Sequence, residues 1–173
     1  GIAWLKENGF FLEDYIGYKL NGLESVRLSK KTNYGRNQFN QSWEQGAVSY
    51  AQSAGFTYAD EKASSTTRIR TVGLIYFPPN AEKITISLDF DNYECVARAF
   101  DSNGLSIVRD GTDGFANTWQ TAPWMIKNAG SLALMIRKKD DSAILPSDGV
   151  NVKVQCEIGE NATAYRPYSE ISI

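Results

Sequence analysis

Short runs of β-branched and aliphatic residues, separated by Gly, Asn, Asp and Pro, fill the chain from Asn33 onward. The runs recur about every ten residues, a spacing typical of antiparallel β-sandwiches rather than of alternating β and α units. We therefore predict a mostly β protein, with an antiparallel β-sandwich over residues 36–173. The predicted strands are Thr67–Thr71, Leu74–Phe77, Lys83–Asp89, Glu94–Asp101, Leu105–Arg109, Thr118–Ala122, Leu132–Arg137 and Val150–Ile158.

The residues between these runs support the prediction. Pro78–Asn80 cannot continue a ladder of hydrogen bonds, and Asp101–Gly104 contains the Asn-Gly pair that closes a tight hairpin. In Lys83–Asp89, aliphatic and polar residues alternate, which predicts a strand with one solvent-exposed face. Leu132–Arg137 is apolar on both faces and is expected to be a central strand.

Residues 1–35 have a different pattern. Leu12, Ile16, Leu20 and Leu23 follow three- and four-residue steps, which predicts an amphipathic helix, although three glycines in the segment each cost about 1 kcal/mol in a helix. We expect a short helical stalk or linker over 1–35. Its apolar stripe either lies on its own domain or packs against sister chains in an oligomer.

Composition excludes several classes of function. The 173 residues include no His, which removes Ser-His-Asp and Cys-His catalysis and His-ligated zinc. The 18 Lys+Arg and 20 Asp+Glu give a net charge of −2, which disfavours a nucleic-acid partner. No apolar run reaches the length of about 20 residues that spans a bilayer, and the signal-peptide pattern is absent, so we expect no membrane insertion. We predict that the chain is not an enzyme and requires no cofactor.

Cys95 and Cys156 stand far apart in the sequence, each within a run that resembles a strand. They have no CxxC spacing and no neighbouring His that would indicate a metal site. We favour two buried free thiols over a disulfide.

Asp110 and Asp113 share a five-residue loop with two glycines, and carboxylate oxygens of this kind can ligate a hard cation. The loop lacks the length and the closing Glu of an EF-hand. Asp and Gly are also ordinary turn residues, so a structural calcium and a plain turn remain the two alternatives.

Aromatic residues make up 12% of the chain and include four Trp. A flat aromatic ring can stack on the C–H face of a sugar, and modules that bind sugar use such rings together with polar side chains. Trp43 lies in a polar stretch and is the first candidate for an exposed Trp, Trp119 alternates with polar residues and is the second, and Tyr93 is a further candidate. Trp124 is followed by apolar residues and is expected to be buried. Each candidate has the alternative of being a large core or rim residue.

Arg68 and Arg70 flank Ile69 in a predicted strand and should point to the same face. Two guanidinium groups there could donate hydrogen bonds to a sugar or an acidic polymer. The alternative is ion pairing with carboxylates of an adjacent strand.

Several motifs occur together and in order along the chain, namely Gly35–Phe39, Trp43–Gly46, Ser64–Thr71, Phe100–Gly104 and Gln155–Tyr168. In that order the sequence resembles a carbohydrate-binding-like jelly-roll module of tail fibre, baseplate and other minor structural proteins from phages and prophages of Gram-positive bacteria. The resemblance covers about residues 35–170, and its last segment, which runs into a Tyr-x-Pro-Tyr ending, is the most specific.

The resemblance implies a jelly-roll β-sandwich carried on a virion tail or baseplate, commonly as a homotrimer, and assembled in the host cytoplasm. It implies a non-catalytic, receptor-binding role in which the module contacts host cell-wall or capsular polysaccharide beside other tail subunits. It identifies no sugar contacts residue by residue. The alternatives are a structural spacer or docking domain and, less favoured because no catalytic motif stands out among the 20 acidic residues, a polysaccharide-degrading enzyme.

Overall fold

The computed structural model of the chain describes residues 37–49, 53–77, 81–108 and 118–168, all within one compact unit, Arg36–Tyr168. These residues are mostly β, and their strands pair in antiparallel fashion. The predicted helical segment 1–35 and the turn Pro78–Asn80 lie outside the described residues. The strands are β1 (Trp43–Gln45), β2 (Ala47–Val48), β3 (Lys62–Ala63), β4 (Ile69–Thr71), β5 (Ile75–Tyr76), β6 (Lys83–Ser87), β7 (Tyr93–Phe100), β8 (Trp124–Lys127), β9 (Ser131–Lys138) and β10 (Gln155–Ile158), and a 3-10 turn (Pro146–Asp148) leads into the one-turn helix α1 (Gly149–Val152).

Strand β9 organises a five-stranded sheet. All eight of its residues pair with β7 along one edge, while β4 and then β5 pair along the other edge, and β1 extends the sheet beyond β4. The residues Ser131–Ile136 are all buried. The prediction of a central strand is confirmed, since neighbours occupy both edges of β9 and other elements cover both of its faces.

A three-stranded sheet in the order β10-β6-β8 packs on one face of the five-stranded sheet. Each fully buried aliphatic side chain in such an interface contributes about 1.5–3 kcal/mol. The shared core contains Cys95, Leu132, Leu134 and Ile136 from the larger sheet and Ile84, Ile86, Ile126 and Cys156 from the smaller.

The opposite face of the five-stranded sheet has its own apolar cluster. Alternate residues of β7 and β9, namely Val96, Phe100, Ala133 and Met135, pack there against the β2–β3 hairpin and Tyr58. Both faces of β7 and β9 are therefore covered, which explains why apolar residues occur on both faces of these strands.

The predicted strand Val150–Ile158 is wrong in its first half. Gly149–Val152 is helical, Lys153 has a φ of 54°, and the strand begins at Gln155. Valine at every second residue is a pattern typical of a strand, in which all three side chains would share one face. In the structure Val150 is 81% exposed while Val152 and Val154 are buried.

The predicted wet face of Lys83–Asp89 is also wrong at its centre. Thr85 is 3% exposed and donates a hydrogen bond to the Gly159 carbonyl at 2.7 Å. Opposite it in β10, the buried carboxylate of Glu157 accepts a hydrogen bond from the Thr163 N–H at 2.9 Å. The chain that follows β10 covers this face, and sequence alternation gave no sign of it.

The Asp101–Gly104 hairpin is confirmed. The Asp101 carboxylate accepts the N–H groups of Asn103 and Leu105, and Gly104 takes a φ of 81° that favours glycine. The flanking predicted strands at 105–109 and 118–122 are reduced, within the described residues, to isolated bridges such as Phe100 with Ser106.

Cys95 and Cys156 are buried and free, as expected. Burial raises the pKa of the Cys156 thiol to about 12 and that of Cys95 well above its usual value. Both side chains act as small apolar residues in the shared core.

Candidate functional site

An open groove of about 370 Å³ is formed by three segments, residues 37–43, 146–154 and 165–168. Its volume lies within the range of ordinary ligand sites, about 300–1,000 Å³. We call it the Trp43 groove. It is lined by the aromatic residues Phe39, Trp43, Tyr165 and Tyr168, by the polar residues Asn37, Gln41, Ser42 and Lys153, and by Pro146, Gly149, Val150 and Val154.

Trp43, predicted to be exposed in a polar stretch, stands at the start of the edge strand β1 and is only partly exposed. Its indole is half-buried, packs against the shared core and lies 5.3 Å from the Phe39 ring at an interplanar angle of 30°. Gly149 permits this position, because a Cβ at that residue would come within 2.7 Å of the indole Cγ. Residue 149 is therefore glycine because the Trp43 indole lies so close to its backbone, and not because the chain turns there.

Asn37 fixes the floor of the groove. The side chain is 4% exposed, and its amide nitrogen donates to the carbonyls of Val154 at 2.9 Å and Arg166 at 2.8 Å. Its amide oxygen accepts the N–H groups of Phe39 at 2.9 Å and Cys156 at 3.1 Å. These four bonds join the three segments, so Asn37 holds the groove together and has little capacity left for a ligand.

Gln155 holds the chain that forms one rim. Its amide nitrogen donates to the carbonyls of Thr163 and Ala164, and its oxygen accepts the Arg166 N–H at 2.7 Å. Tyr165 lies within this anchored stretch and Tyr168 follows it, with 45% and 43% of their surfaces exposed. The rim therefore presents two accessible phenol rings on a fixed backbone.

The other polar lining residues differ in availability. The Gln41 amide is engaged, accepting the Gly73 N–H at 3.0 Å and donating to the Leu74 carbonyl at 3.2 Å. Ser42 and Lys153 are exposed. A ligand in the groove would meet aromatic surface, hydroxyl groups and one ammonium group.

Trp119 lies outside this groove and is half-buried beside the second apolar cluster. Two guanidinium groups stack on its ring, Arg68 at 4.9 Å and Arg137 at 4.3 Å from the centroid. Arg137 donates to Glu94 at 2.6 Å and Arg68 to Asp141, so each cation is held by a carboxylate. The ring that was expected on an open face carries two cations.

Arg70 pairs with Glu44, which stands directly opposite it on β1, at 2.7 Å. It also donates to the carbonyls of Ala47 and Ala63 at 2.7 Å each. Burial favours a protonated Glu44, but Lys62 and Arg70 outweigh it and hold the pKa of that carboxyl below its usual value. For Arg70 the ion-pair alternative is confirmed.

Tyr93 lines a separate cavity of about 320 Å³ with two lysines and two aspartates. It is 7% exposed, and burial, followed by the carboxylates of Asp148 and Asp89, raises its pKa. The predicted ligand residues therefore occupy different places, and Trp43 alone of them lines the aromatic groove.

The proposed calcium ligands Asp110 and Asp113 lie outside the described residues. Within the described ranges, no group of three or more potential metal-ligating residues occurs. In that same part of the chain, no helix is long and apolar enough to cross a membrane.

Sequence reasoning missed Phe39, Tyr165, Tyr168 and Lys153 as lining residues. The Tyr-x-Pro-Tyr ending was visible in the sequence, and its proline is incompatible with a central strand, which favours exposed tyrosines. Nothing local linked this ending to the segment of Trp43, because Asn37 makes that connection across more than a hundred residues, while Gln155 only anchors the ending beside β10.

Comparison of the chain with protein-family models, with curated proteins and with solved structures found no match.

Proposed function

We propose that this chain is a non-catalytic module that binds carbohydrate in the Trp43 groove. The observation that carries the proposal is the convergence of four aromatic side chains with exposed hydroxyl and ammonium groups in one open groove. Aromatic faces complement the C–H face of a pyranose, and polar rim groups complement its hydroxyls. The open shape suits part of a polymer better than an enclosed small molecule.

The sequence resemblance extends the proposal to a setting. It supports a jelly-roll module on a phage tail fibre or baseplate, present as a homotrimer and used to contact host cell-wall or capsular polysaccharide. Two sheets that share one core are compatible with such a sandwich. A weak single site would suffice there, because several copies on one virion raise avidity by about 10²–10⁴ without new contacts.

A structural spacer or docking domain is the second candidate, and Trp119 favours it. That indole is covered by two guanidinium groups which are themselves held by carboxylates, so it contributes to the fold. In this alternative Trp43 would likewise act through its packing on Phe39.

The test is binding of the labelled chain to an array of bacterial cell-wall and capsular polysaccharides, with and without calcium. We expect specific signals that fall about three- to tenfold in Tyr168→Ala, because one stacking ring is lost. We expect Trp43→Ala to weaken binding more than Tyr168→Ala does. The matched control is Tyr76→Ala, which truncates a tyrosine that is 55% exposed and lies outside the groove.

A blank array with a folded sample would overturn carbohydrate binding and leave the spacer. Equal losses in Tyr168→Ala and Tyr76→Ala would place the binding surface elsewhere on the module. Melting temperatures within about 2 °C of the parent chain would show that the tyrosine variants remain folded.

A further inference from the structure

The charge on the lining of the Trp43 groove is positive only, among the described residues. This charge indicates what kind of ligand the groove prefers, if the groove binds carbohydrate as proposed. Among the described residues, Lys153 is the one charged side chain of the lining. The remaining lining residues are aromatic, aliphatic or neutral polar residues. A neutral sugar would leave this ammonium group in the site without a charged counterpart.

The carboxylates adjacent in sequence to lining residues are turned to other partners. Asp148 precedes the lining residue Gly149, but its carboxylate accepts the Leu145 N–H at 2.8 Å and lies 3.8 Å from the Lys138 ammonium. Glu44 follows Trp43, but its carboxylate is bound by Arg70 and Lys62 at 2.7 Å each. Both carboxylates are thus engaged by other groups, and among the described residues neither forms an ion pair with Lys153.

The backbone gives Lys153 a defined position. It follows α1 with a φ of 54°, between Val152 and Val154, whose side chains are 0% and 4% exposed. The Val154 carbonyl in turn accepts a hydrogen bond from the buried Asn37 amide. A left-handed residue between two core anchors keeps the base of the lysine at the groove while its ammonium remains in solvent.

We propose that the Trp43 groove is selective for an acidic saccharide, and that Lys153 binds the carboxylate or phosphate group of that ligand. The aromatic residues contact the sugar ring, and the lysine distinguishes an anionic unit from a neutral one. A lysine ammonium suits this role because it pairs with either oxyanion as a point charge. Because the pair is exposed, it adds selectivity more than affinity, and salt weakens it.

The experiment uses the full chain on three groups of polysaccharides: neutral ones, ones that contain uronic acids, and ones that contain phosphodiesters. We expect binding to one or both acidic groups. For each acidic ligand found, the matched neutral probe is the same polymer after reduction of its carboxyl groups or after removal of its phosphate. Loss of binding to the treated polymer identifies which of the two anions is recognised.

Lys153→Gln should weaken binding of the acidic ligand about three- to tenfold at low salt, and the difference should shrink as salt is raised. Lys153→Arg, which keeps the positive charge, should retain most of the affinity for the acidic ligand. The control is Lys139→Gln, which changes net charge equally at an exposed lysine that lines the other cavity. Equal effects of Lys153→Gln and Lys139→Gln would overturn the proposal in favour of general charge attraction.

The outcomes separate this proposal from carbohydrate binding itself. Neutral polysaccharides that bind through the aromatic residues, with Lys153→Gln unchanged, would overturn acidic selectivity and keep the binding function. A blank array with a folded chain would overturn both.

Discussion

Trp43 belongs to the five-stranded sheet and Trp119 packs against one face of it, and the two rings have different neighbours. Trp43 packs at an angle on Phe39 and lines a groove whose two tyrosines are exposed. Trp119 carries the guanidinium groups of Arg68 and Arg137. The two residues are alike in type and partial burial, so what determines whether an indole can serve a ligand is which distant side chains reach its ring.

The contrast extends to the two faces of β1. Trp43 faces the shared core and the Trp43 groove, whereas Glu44 faces the opposite side and joins Arg70 and Lys62. One side of the sheet edge is held by buried hydrogen bonds of neutral groups. The other is held by partly exposed ion pairs, which are individually weak.

The largest effect on stability is expected at the neutral side, in Asn37→Ala. Four hydrogen bonds disappear and buried partner groups lose their donor or acceptor, which should lower the free energy of unfolding by about 2–4 kcal/mol. Urea denaturation measures the change. Asn40→Ala, at an exposed position nearby, is the control and should stay within about 0.5 kcal/mol of the parent chain. Similar stabilities for the two variants would mean that Asn37 does not join the segments.

A smaller effect is expected from Gly149→Ala. Helix propensity alone would favour Ala by about 1 kcal/mol, but the added Cβ overlaps the Trp43 indole, so we expect a net loss of about 1–3 kcal/mol. Denaturation followed by tryptophan fluorescence would record both stability and the displaced indole. Val150→Ala in the same helical turn, at a side chain that is 81% exposed, should change stability by less than about 0.5 kcal/mol. A stabilised Gly149→Ala would contradict the close contact.

The smallest effect is expected at the charged side and depends on pH. The pKa of Glu44 is lowered in the folded chain, so its stabilising effect is complete above the unfolded value of 4.5 and is lost as pH falls through the folded value. Glu44→Gln should therefore lower the free energy of unfolding by about 0.5–1 kcal/mol at pH 7 and by less below pH 4.5. Urea denaturation of both proteins across this range measures the difference. A difference that does not vary with pH would contradict the ion-pair account.

Much of the β architecture could be predicted because it is encoded in local patterns. The apolar run of β9 signalled a central strand, and the Asn-Gly pair signalled the hairpin after β7. The same logic failed where a distant segment covers a strand, as the chain after β10 covers Thr85. The prediction from local patterns also failed at Val150, Val152 and Val154, which belong to a helical turn and the residues directly after it rather than to a strand.

The groove itself could not be predicted, apart from Trp43. Its walls come from opposite ends of the described chain and meet through Asn37, Gln155 and the small size of Gly149. No local sequence pattern identifies the distant hydrogen-bond partners of the buried Asn37 amide. The ion pair of Arg70 was easier to anticipate, because its partner Glu44 lies directly across an adjacent strand.

The four hydrogen bonds of Asn37 also have a mechanical consequence. They tie residue 37 to residues 154, 156 and 166, so the points at which the chain enters and leaves this unit are bonded to one another. Tension applied between residues 37 and 166 would load those bonds directly and would not stretch the sheets from end to end. Force would thus bypass the core, and the groove would be the first part of the unit to open under load.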